Sequence, residues 1–199
     1  PSTPHPYRRV YGDWRLWLYI LAGSLNALCV FGVLNWLPTY LNRTKGIAFG
    51  ELSLPLFAVF VSGILGILFW AWLGDRTGRR VRFASLGLAL AGVAVMLTAF
   101  VDVPAGVVFL FALGVFFQSS YNAQEFATLQ QRVAPEQAGA LTGLYNGLTV
   151  LLGGVGGSLI PGTIVALTGS FQAGLLSVVA GAFAVAVLMA LLSRLGFER

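Results

Sequence analysis

Long stretches without a charged residue divide the chain. They cover residues 16–42, 52–74, 83–101, 103–124 and 137–193. A helix rises about 1.5 Å per residue, so crossing about 30 Å of hydrocarbon takes about 20 mostly apolar residues. The first four stretches therefore predict one membrane-spanning helix each. The last stretch is long enough for two, joined at the turn residues Thr168, Gly169 and Ser170.

This pattern predicts an all-α membrane protein built as a bundle of six transmembrane helices. The transmembrane domain is predicted at residues 14–194, between a cytoplasmic linker at 1–13 and a cytoplasmic tail at 195–199. The proline-rich polar start, Pro1–Pro6, is typical of a linker within a longer chain. The predicted spans are Trp14–Leu41, Leu52–Leu73, Val81–Val101, Ala105–Gln131, Ala140–Leu167 and Phe171–Ser193.

Composition supports a lipid-facing surface. Hydrophobic residues make up 57% of the 199 residues and charged residues only 10%, against about 25% charged in a soluble domain. The net charge of +5 does not indicate nucleic acid, because no basic run carries interleaved aromatic residues. The single cysteine, Cys29, excludes a disulfide framework and a multi-cysteine metal site. We predict no cofactor and no metal.

Arginine and lysine predict the orientation. Six spans place both ends of the chain on one side of the membrane, and that side carries ten arginines, whereas the other carries only Arg43 and Lys45. Short loops rich in these residues stay in the cytoplasm. We therefore predict a multi-pass protein of the cell membrane with both termini cytoplasmic. The ten residues are Arg8, Arg9, Arg15, Arg76, Arg79, Arg80, Arg82, Arg132, Arg194 and Arg199.

The loop between the second and third spans carries a motif. It reads Gly74-Asp75-Arg76-Thr77-Gly78-Arg79-Arg80, which predicts a tight turn with Gly78 at a positive φ and Asp75 accepting from arginine or backbone N–H groups. The order resembles the signature loop of the major facilitator superfamily, Gly-x-x-x-Asp-Arg-x-Gly-Arg-Arg, and departs from it only at Ala71. The resemblance implies a gating loop formed by Asp75, Arg76, Gly78, Arg79 and Arg80.

Two further runs extend this resemblance over essentially the whole chain. Residues 35–41 resemble the end of helix seven in organic-anion and sugar-acid permeases of the superfamily, and residues 139–169 resemble helix eleven. The resemblance implies helices seven to twelve, one half of a twelve-helix major facilitator fold, with the N-terminal six-helix half as partner. It implies secondary active transport of a small polar solute, an organic anion or sugar acid coupled to protons. A sugar-phosphate or organophosphate exchanger is the alternative.

Glu125 is the one acid predicted well inside a span. An ionised carboxylate is costly at that depth, so an intramembrane acid is a candidate proton-coupling group. Helical spacing from Glu125 places four polar residues on the same helix face: Gln118, Tyr121, Asn122 and Thr128. This face predicts a polar stripe along a wet pathway. The alternative is that the fourth helix ends early and leaves Glu125 at the membrane interface. If the solute is an anion, the cation that receives it is expected in the other half, since no arginine or lysine lies in the interior of a span here.

Other polar positions within the spans are Asn26, Asn35, Tyr145 and Asn146. Each is a candidate for contact with the solute or for a hydrogen bond between helices. The pairs Gly143/Gly147 and Gly153/Gly157 predict close-packing faces on a bendable fifth helix, and Pro161 predicts a kink.

A different class of function is an intramembrane enzyme or a non-transporting scaffold. A serine protease needs a histidine at membrane depth, and the only histidine, His5, lies in the polar start. An aspartyl protease needs two intramembrane acids. We therefore predict that the chain is not an enzyme.

Overall fold

The computed structural model describes residues 11–197, which form six long helices and no strand. The helices are α1 Trp14–Lys45, α2 Ser53–Thr77, α3 Arg80–Leu97, α4 Pro104–Gln130, α5 Pro135–Thr168 and α6 Phe171–Arg194. All six are long and apolar enough to cross a membrane. The predicted fold class and the six spans are thereby confirmed. His5, Arg8, Arg9 and Arg199 lie outside the described residues, and the predicted division into linker, domain and tail stays a prediction.

The helix ends follow from local chemistry. Asp13 caps α1 by accepting a hydrogen bond from the backbone N–H of Arg15 at 3.0 Å. Gly46 ends the same helix in the left-handed conformation, with φ of 71°. The predicted break in the long apolar stretch is also confirmed. Gly169 has φ of 68° after Thr168, and Ser170 caps α6.

The turn between α2 and α3 is shorter than predicted. α2 continues through Thr77, and Gly78 ends it with φ of 68° and an N–H bond to the carbonyl of Gly74. Only Gly78 and Arg79 separate the two helices. The prediction that all of Gly74–Arg80 forms the turn is therefore wrong, because a single left-handed glycine suffices to reverse the chain.

α5 differs most from its predicted span. It begins at Pro135 instead of Ala140, since proline at the first helical turn has no N–H to leave unbonded. A π-helical segment, Val150–Gly154, interrupts it. Such a segment inserts an extra residue and rotates the face that follows.

The packing order of the helices fixes the interior. α4 packs between α2 and α3, α6 packs between α1 and α3, and α5 lies against α1 and α6. The name terminal side is used for the side of the bundle at which α1 begins and α6 ends. One buried cluster, which includes Tyr19, Tyr121 and Tyr145, fills the terminal side, and a second, which includes Tyr40 and Phe111, fills the opposite side. α2 and α5 are the least buried helices.

The two glycine pairs of α5 behave differently. Methyl groups added at Gly153 or Gly157 would collide with the backbone of α1, at Ser24 and Leu28. Methyl groups added at Gly143 or Gly147 would meet no described atom within 4 Å. The second pair therefore packs closely against α1 as predicted, whereas the first pair meets no neighbour among the described residues and its close-packing face stays a prediction, because only one face of α5 touches α1.

Candidate functional site

An amide cluster joins α1 to α4 inside the bundle. The side-chain nitrogen of Asn26 donates to Asn122 Oδ1 at 3.1 Å. Gln118 Nε2 donates to Asn26 Oδ1 at 2.9 Å and to Asn122 Oδ1 at 3.2 Å. Asn26 is buried, so these bonds replace the water that its amide loses. Three of the predicted site residues therefore meet in one cluster.

Glu125 lies in a second polar layer, beside three tyrosines that we call the tyrosine cluster: Tyr19, Tyr121 and Tyr145. All three are fully buried. The hydroxyl of Tyr145 donates to Glu125 Oε2 at 3.1 Å, and the hydroxyl of Tyr19 donates to the backbone carbonyl of Glu125 at 2.9 Å. The carboxyl group of Glu125 is thus bonded to one hydroxyl group from α5, and its backbone carbonyl is bonded to one from α1.

The tyrosine cluster can accommodate either protonation state of Glu125. The hydroxyl oxygens of Tyr121 and Tyr145 lie 2.8 Å apart. When Glu125 is ionised, Tyr145 donates to it and accepts from Tyr121. When Glu125 carries a proton, the carboxyl O–H can donate to Tyr145, which can then donate to Tyr121. Each hydroxyl keeps a partner in both arrangements.

The predicted polar stripe is divided between these two layers. Gln118 and Asn122 bond to Asn26, whereas Tyr121 and Glu125 belong with Tyr145. α4 continues to Gln130, so Glu125 lies inside the helix and does not follow an early helix end. Thr128 is buried on the same helix.

Sequence reasoning missed Tyr19. It lies seven residues before Asn26 on α1, which is two turns of helix and therefore the same face. That spacing was the available signal. A tyrosine within a charge-free span resembles a core aromatic until the partner helix is known.

Two other predicted polar residues lie apart from Glu125. Asn35 donates to Ser158 Oγ at 2.9 Å and joins α1 to α5. Asn146 is exposed on α5. The structure therefore brings Asn26, but neither Asn35 nor Asn146, into the two polar layers.

A cavity of about 240 Å³ adjoins the amide cluster. Five helices, α1, α2, α3, α4 and α6, supply its walls. Gln118, Ser119 and Asn122 are its polar side chains apart from the thiol of Cys29, and the rest of the lining is apolar. Cys29 is buried, and its thiol contacts the carbonyl of Val178 at 3.3 Å.

The loop motif is bonded to α4. Arg80 donates to Asp75 at 2.6 Å and to Gln124 Oε1 at 3.2 Å, and Gln124 in turn donates to the carbonyl of Trp70. Asp75 thus accepts from an arginine as predicted. Gln124 is buried and was missed as a partner of the motif. A side chain at Gly74 would collide with the Gln124 amide, which would have to move away from this position.

The other motif residues are exposed. The Arg76 guanidinium lies 5.6 Å from the centre of the Trp72 ring. The backbone N–H of Arg79 donates to Thr77 Oγ1 at 3.4 Å. Within the motif, only Arg80 and Gly74 therefore reach α4.

A terminal-side clamp connects α1, α4 and α6. Arg132 pairs with Asp13 at 3.1 Å, donates to the carbonyl of Phe197 at 2.8 Å, and lies 4.0 Å above the Phe197 ring. Arg15 donates to Asp13 at 3.0 Å and to the carbonyl of Leu195 at 3.2 Å. Burial opposes ionisation of Asp13, but the hydrogen bonds from Arg15 and the charges of both arginines outweigh it and lower the Asp13 pKa below its ordinary 3.8.

Known proteins resemble this chain at the level of a family and of individual relatives. The family model described as Major Facilitator Superfamily matches residues 1–158. The chain is 27% identical to the cis,cis-muconate transport protein of Acinetobacter baylyi over 166 residues, 83% of this chain and 39% of that protein. It is 31% identical to the probable galactarate/D-glucarate transporter of Escherichia coli over 172 residues, 81% of this chain and 37% of that protein. The probable sulfoacetate transporter of Cupriavidus necator is 30% identical over 179 residues, 84% of this chain and 40% of that protein.

These relatives are longer than the chain. It spans about two fifths of the length of each of the three.

Proposed function

Because this chain belongs to the major facilitator superfamily, we propose that it forms one six-helix half of a secondary transporter that moves a small organic anion or sugar acid together with protons. The observation that carries the proposal is Glu125, a partly buried acid within a helix long and apolar enough to span a membrane, whose carboxyl group accepts a hydrogen bond from the hydroxyl of Tyr145. An acid at that depth is a functional candidate by default.

The solute class is proposed from the relatives. Their names specify muconate, galactarate or glucarate, and sulfoacetate, all of which are acids. Arginine and lysine in the described helices lie near the helix ends, so we place the cation that receives the anion in a second six-helix half. That half would cover α2 and α5, which carry many of the exposed large apolar side chains, with the solute bound between the halves.

The role of Glu125 can be tested in the complete transporter reconstituted in vesicles. Glu125→Gln keeps the shape of the side chain and removes its titration. Uptake driven by a proton gradient should be abolished, whereas exchange of labelled for unlabelled solute should remain, because exchange needs no net proton movement. The solutes offered are muconate, glucarate and sulfoacetate.

Glu136→Gln is the matched control. Glu136 lies exposed at the start of α5, so both activities should stay at the level of the unmodified protein. Normal accumulation of solute against its gradient by Glu125→Gln would remove Glu125 from the coupling mechanism.

A second candidate is exchange of organophosphates. The glycerol-3-phosphate transporter of Bacillus subtilis is 27% identical over 164 residues. In this case vesicles loaded with inorganic phosphate should take up glycerol 3-phosphate without a proton gradient, and carboxylic acids should not compete. Competition by the carboxylic acids would favour the first candidate.

We propose a location in the cell membrane with the terminal side facing the cytoplasm. The proposal rests on the predicted bias of ten arginines against Arg43 and Lys45. The described arginines on the terminal side are Arg15, Arg76, Arg79, Arg80, Arg82, Arg132 and Arg194. Single cysteines at Thr44 and Thr77, in a background without Cys29, would be treated with an impermeant thiol reagent in intact cells. Labelling is expected at position 44, and labelling at position 77 alone would reverse the orientation.

A further inference from the structure

The cavity beside the amide cluster is shaped for an apolar body. Its walls include Val33, Val95, Phe111, Val115 and Val178. An engineered apolar cavity of about 150 Å³ holds benzene. A cavity of about 240 Å³ therefore accommodates a six-carbon ring or an unsaturated chain together with one small polar group.

The open side of the cavity lies between α1 and α2. Leu34, Phe60, Ile64 and Ile67 line it there and are themselves exposed. α1 and α2 are separated at this point, since each packs chiefly on other helices. A solute can thus reach the cavity without displacement of a buried side chain.

Two amide atoms are available at the polar end. Among residues 11–197, Asn122 Nδ2 and Gln118 Oε1 form no hydrogen bond, although the other amide atom of each side chain is bonded within the amide cluster. Ser119 directs its hydroxyl to the carbonyls of Gly63 and Val115. A carboxyl group can accept from Asn122 Nδ2 and, when protonated, donate to Gln118 Oε1.

A polyhydroxylated acid fits these walls poorly. Its hydroxyl groups would lose water along the whole length of the molecule, and the described residues that line the cavity offer polar partners at one end only. A hydroxyl group buried without a partner weakens binding by about tenfold or more. The cavity should therefore bind acids that place hydroxyl groups against its apolar walls more weakly than acids that lack them.

We propose that this cavity binds the apolar body of a carboxylic acid, an aromatic ring or an unsaturated or aliphatic chain of about six carbons, with its carboxyl group at Asn122 and Gln118. The inference rests on the proposed transport function and narrows its solute class. Sugar acids are thereby excluded as the preferred solutes.

Equilibrium binding to the complete transporter, purified in lipid nanodiscs, tests the proposal. The probes are benzoate, cyclohexanecarboxylate and hexa-2,4-dienoate, compared by calorimetry with D-gluconate and D-glucarate. The three apolar acids should bind at least tenfold more tightly than the two sugar acids. Equal or tighter binding of a sugar acid would overturn the proposal.

Two variants locate the binding site. Ala182→Val adds two methyl groups to the cavity wall, and the exposed Ala184 on the same helix gives the matched control Ala184→Val. Benzoate binding should weaken at least tenfold in the first variant and stay unchanged in the second. Val33→Thr keeps the wall's shape and adds a hydroxyl group, so it should also weaken benzoate binding even if Ala182→Val does not fold. Equal benzoate affinity in a folded wall variant and in Ala184→Val would place the apolar body elsewhere and overturn the proposal.

Exchange in vesicles separates this inference from the proposed function. Exchange of sugar acids in preference to benzoate would overturn the inference and leave a transporter. If benzoate binds and Val33→Thr weakens its binding, but no acid is exchanged, the cavity is confirmed and the proposed transport function fails. Equal binding of cyclohexane and cyclohexanecarboxylate would also overturn the inference, because the amide end would then contribute nothing.

Discussion

Gly157→Ala tests the contact between α1 and α5. The added methyl carbon would lie 2.5 Å from the carbonyl oxygen of Leu28 and 2.9 Å from the nitrogen of Gly32. Both are backbone atoms, so they cannot rotate away as a flexible side chain could, and the helices must separate. Overpacking of this kind costs about 1–3 kcal/mol.

Gly147→Ala is the control for this substitution. It belongs to a pair with the same spacing, but its methyl group would meet no described atom within 4 Å. Alanine in a helix is favoured over glycine by about 0.5–1 kcal/mol. This preference applies to both variants and cancels, so they should differ in the free energy of unfolding by the overpacking cost of about 1–3 kcal/mol.

Unfolding of the complete transporter in mixed micelles measures this difference. Circular dichroism follows the helices while a denaturing detergent is titrated in, and both variants are compared with the unmodified protein. If the two variants have the same free energy of unfolding, the helix contact described here is not the one that stabilises the bundle.

Three further predictions concern side-chain contacts. Asp13→Asn should reduce the acid sensitivity of the fold, because the folded-state pKa of Asp13 is lowered below its ordinary 3.8. The contribution of Asp13 to stability is present above the ordinary value and is lost as pH falls through the lower folded-state pKa, so melting temperatures from about pH 6 to about pH 2 measure it. Arg80→Gln should slow transport several-fold and lower the free energy of unfolding by about 1–3 kcal/mol, because the buried Gln124 loses its charged partner, whereas the pair with the exposed Asp75 contributes little. An equal loss of transport in Arg79→Gln would contradict a specific role. Tyr145→Phe should lower the free energy of unfolding by about 1 kcal/mol, because the variant loses hydrogen bonds to Glu125 and Tyr121. An unchanged free energy of unfolding in the detergent titration would contradict these bonds.

The helices were predictable because one physical constraint dominates them. A charge within hydrocarbon is costly, so the intervals between charged residues mark the spans. Glycine and serine at Gly169–Ser170 then locate the break that charge alone leaves open, since one ends a helix and the other begins the next. The sequence predicts less accurately the helix ends that depend on local hydrogen bonds, such as those at Lys45 and Thr77.

The glycine pairs show what the sequence could not settle. Gly143 and Gly153 are ten residues apart, which at about 100° per residue places them on different faces of α5. Periodicity therefore separates the two pairs, but it does not say which face meets α1. The π-helical segment at Val150–Gly154 lies between them and rotates the second face further, so the contact depends on tertiary structure.

The same limit applies to the polar stripe on α4. Spacing correctly placed Gln118, Asn122 and Glu125 on one helix, but their partners come from α1 and α5. Those partners decide that Gln118 and Asn122 face a cavity and that Glu125 lies among tyrosines. The sequence of α4 alone therefore does not predict which residues of α1 and α5 contact its polar side chains.

The surroundings of Glu125 differ from those of the paired acids. Asp13 and Asp75 each pair with an arginine, and Asp102 lies 3.8 Å from Lys45. Protonation of any of these acids would break an ion pair. The described part of the chain shows no cation beside Glu125, and its carboxyl group is held by the neutral hydroxyl of Tyr145. A hydroxyl can donate to a carboxylate or accept from a carboxylic acid, so this bond survives a change of charge. The hydrogen bond between Glu125 and Tyr145 would therefore persist in both protonation states, which fits the proposed role of Glu125 in proton coupling.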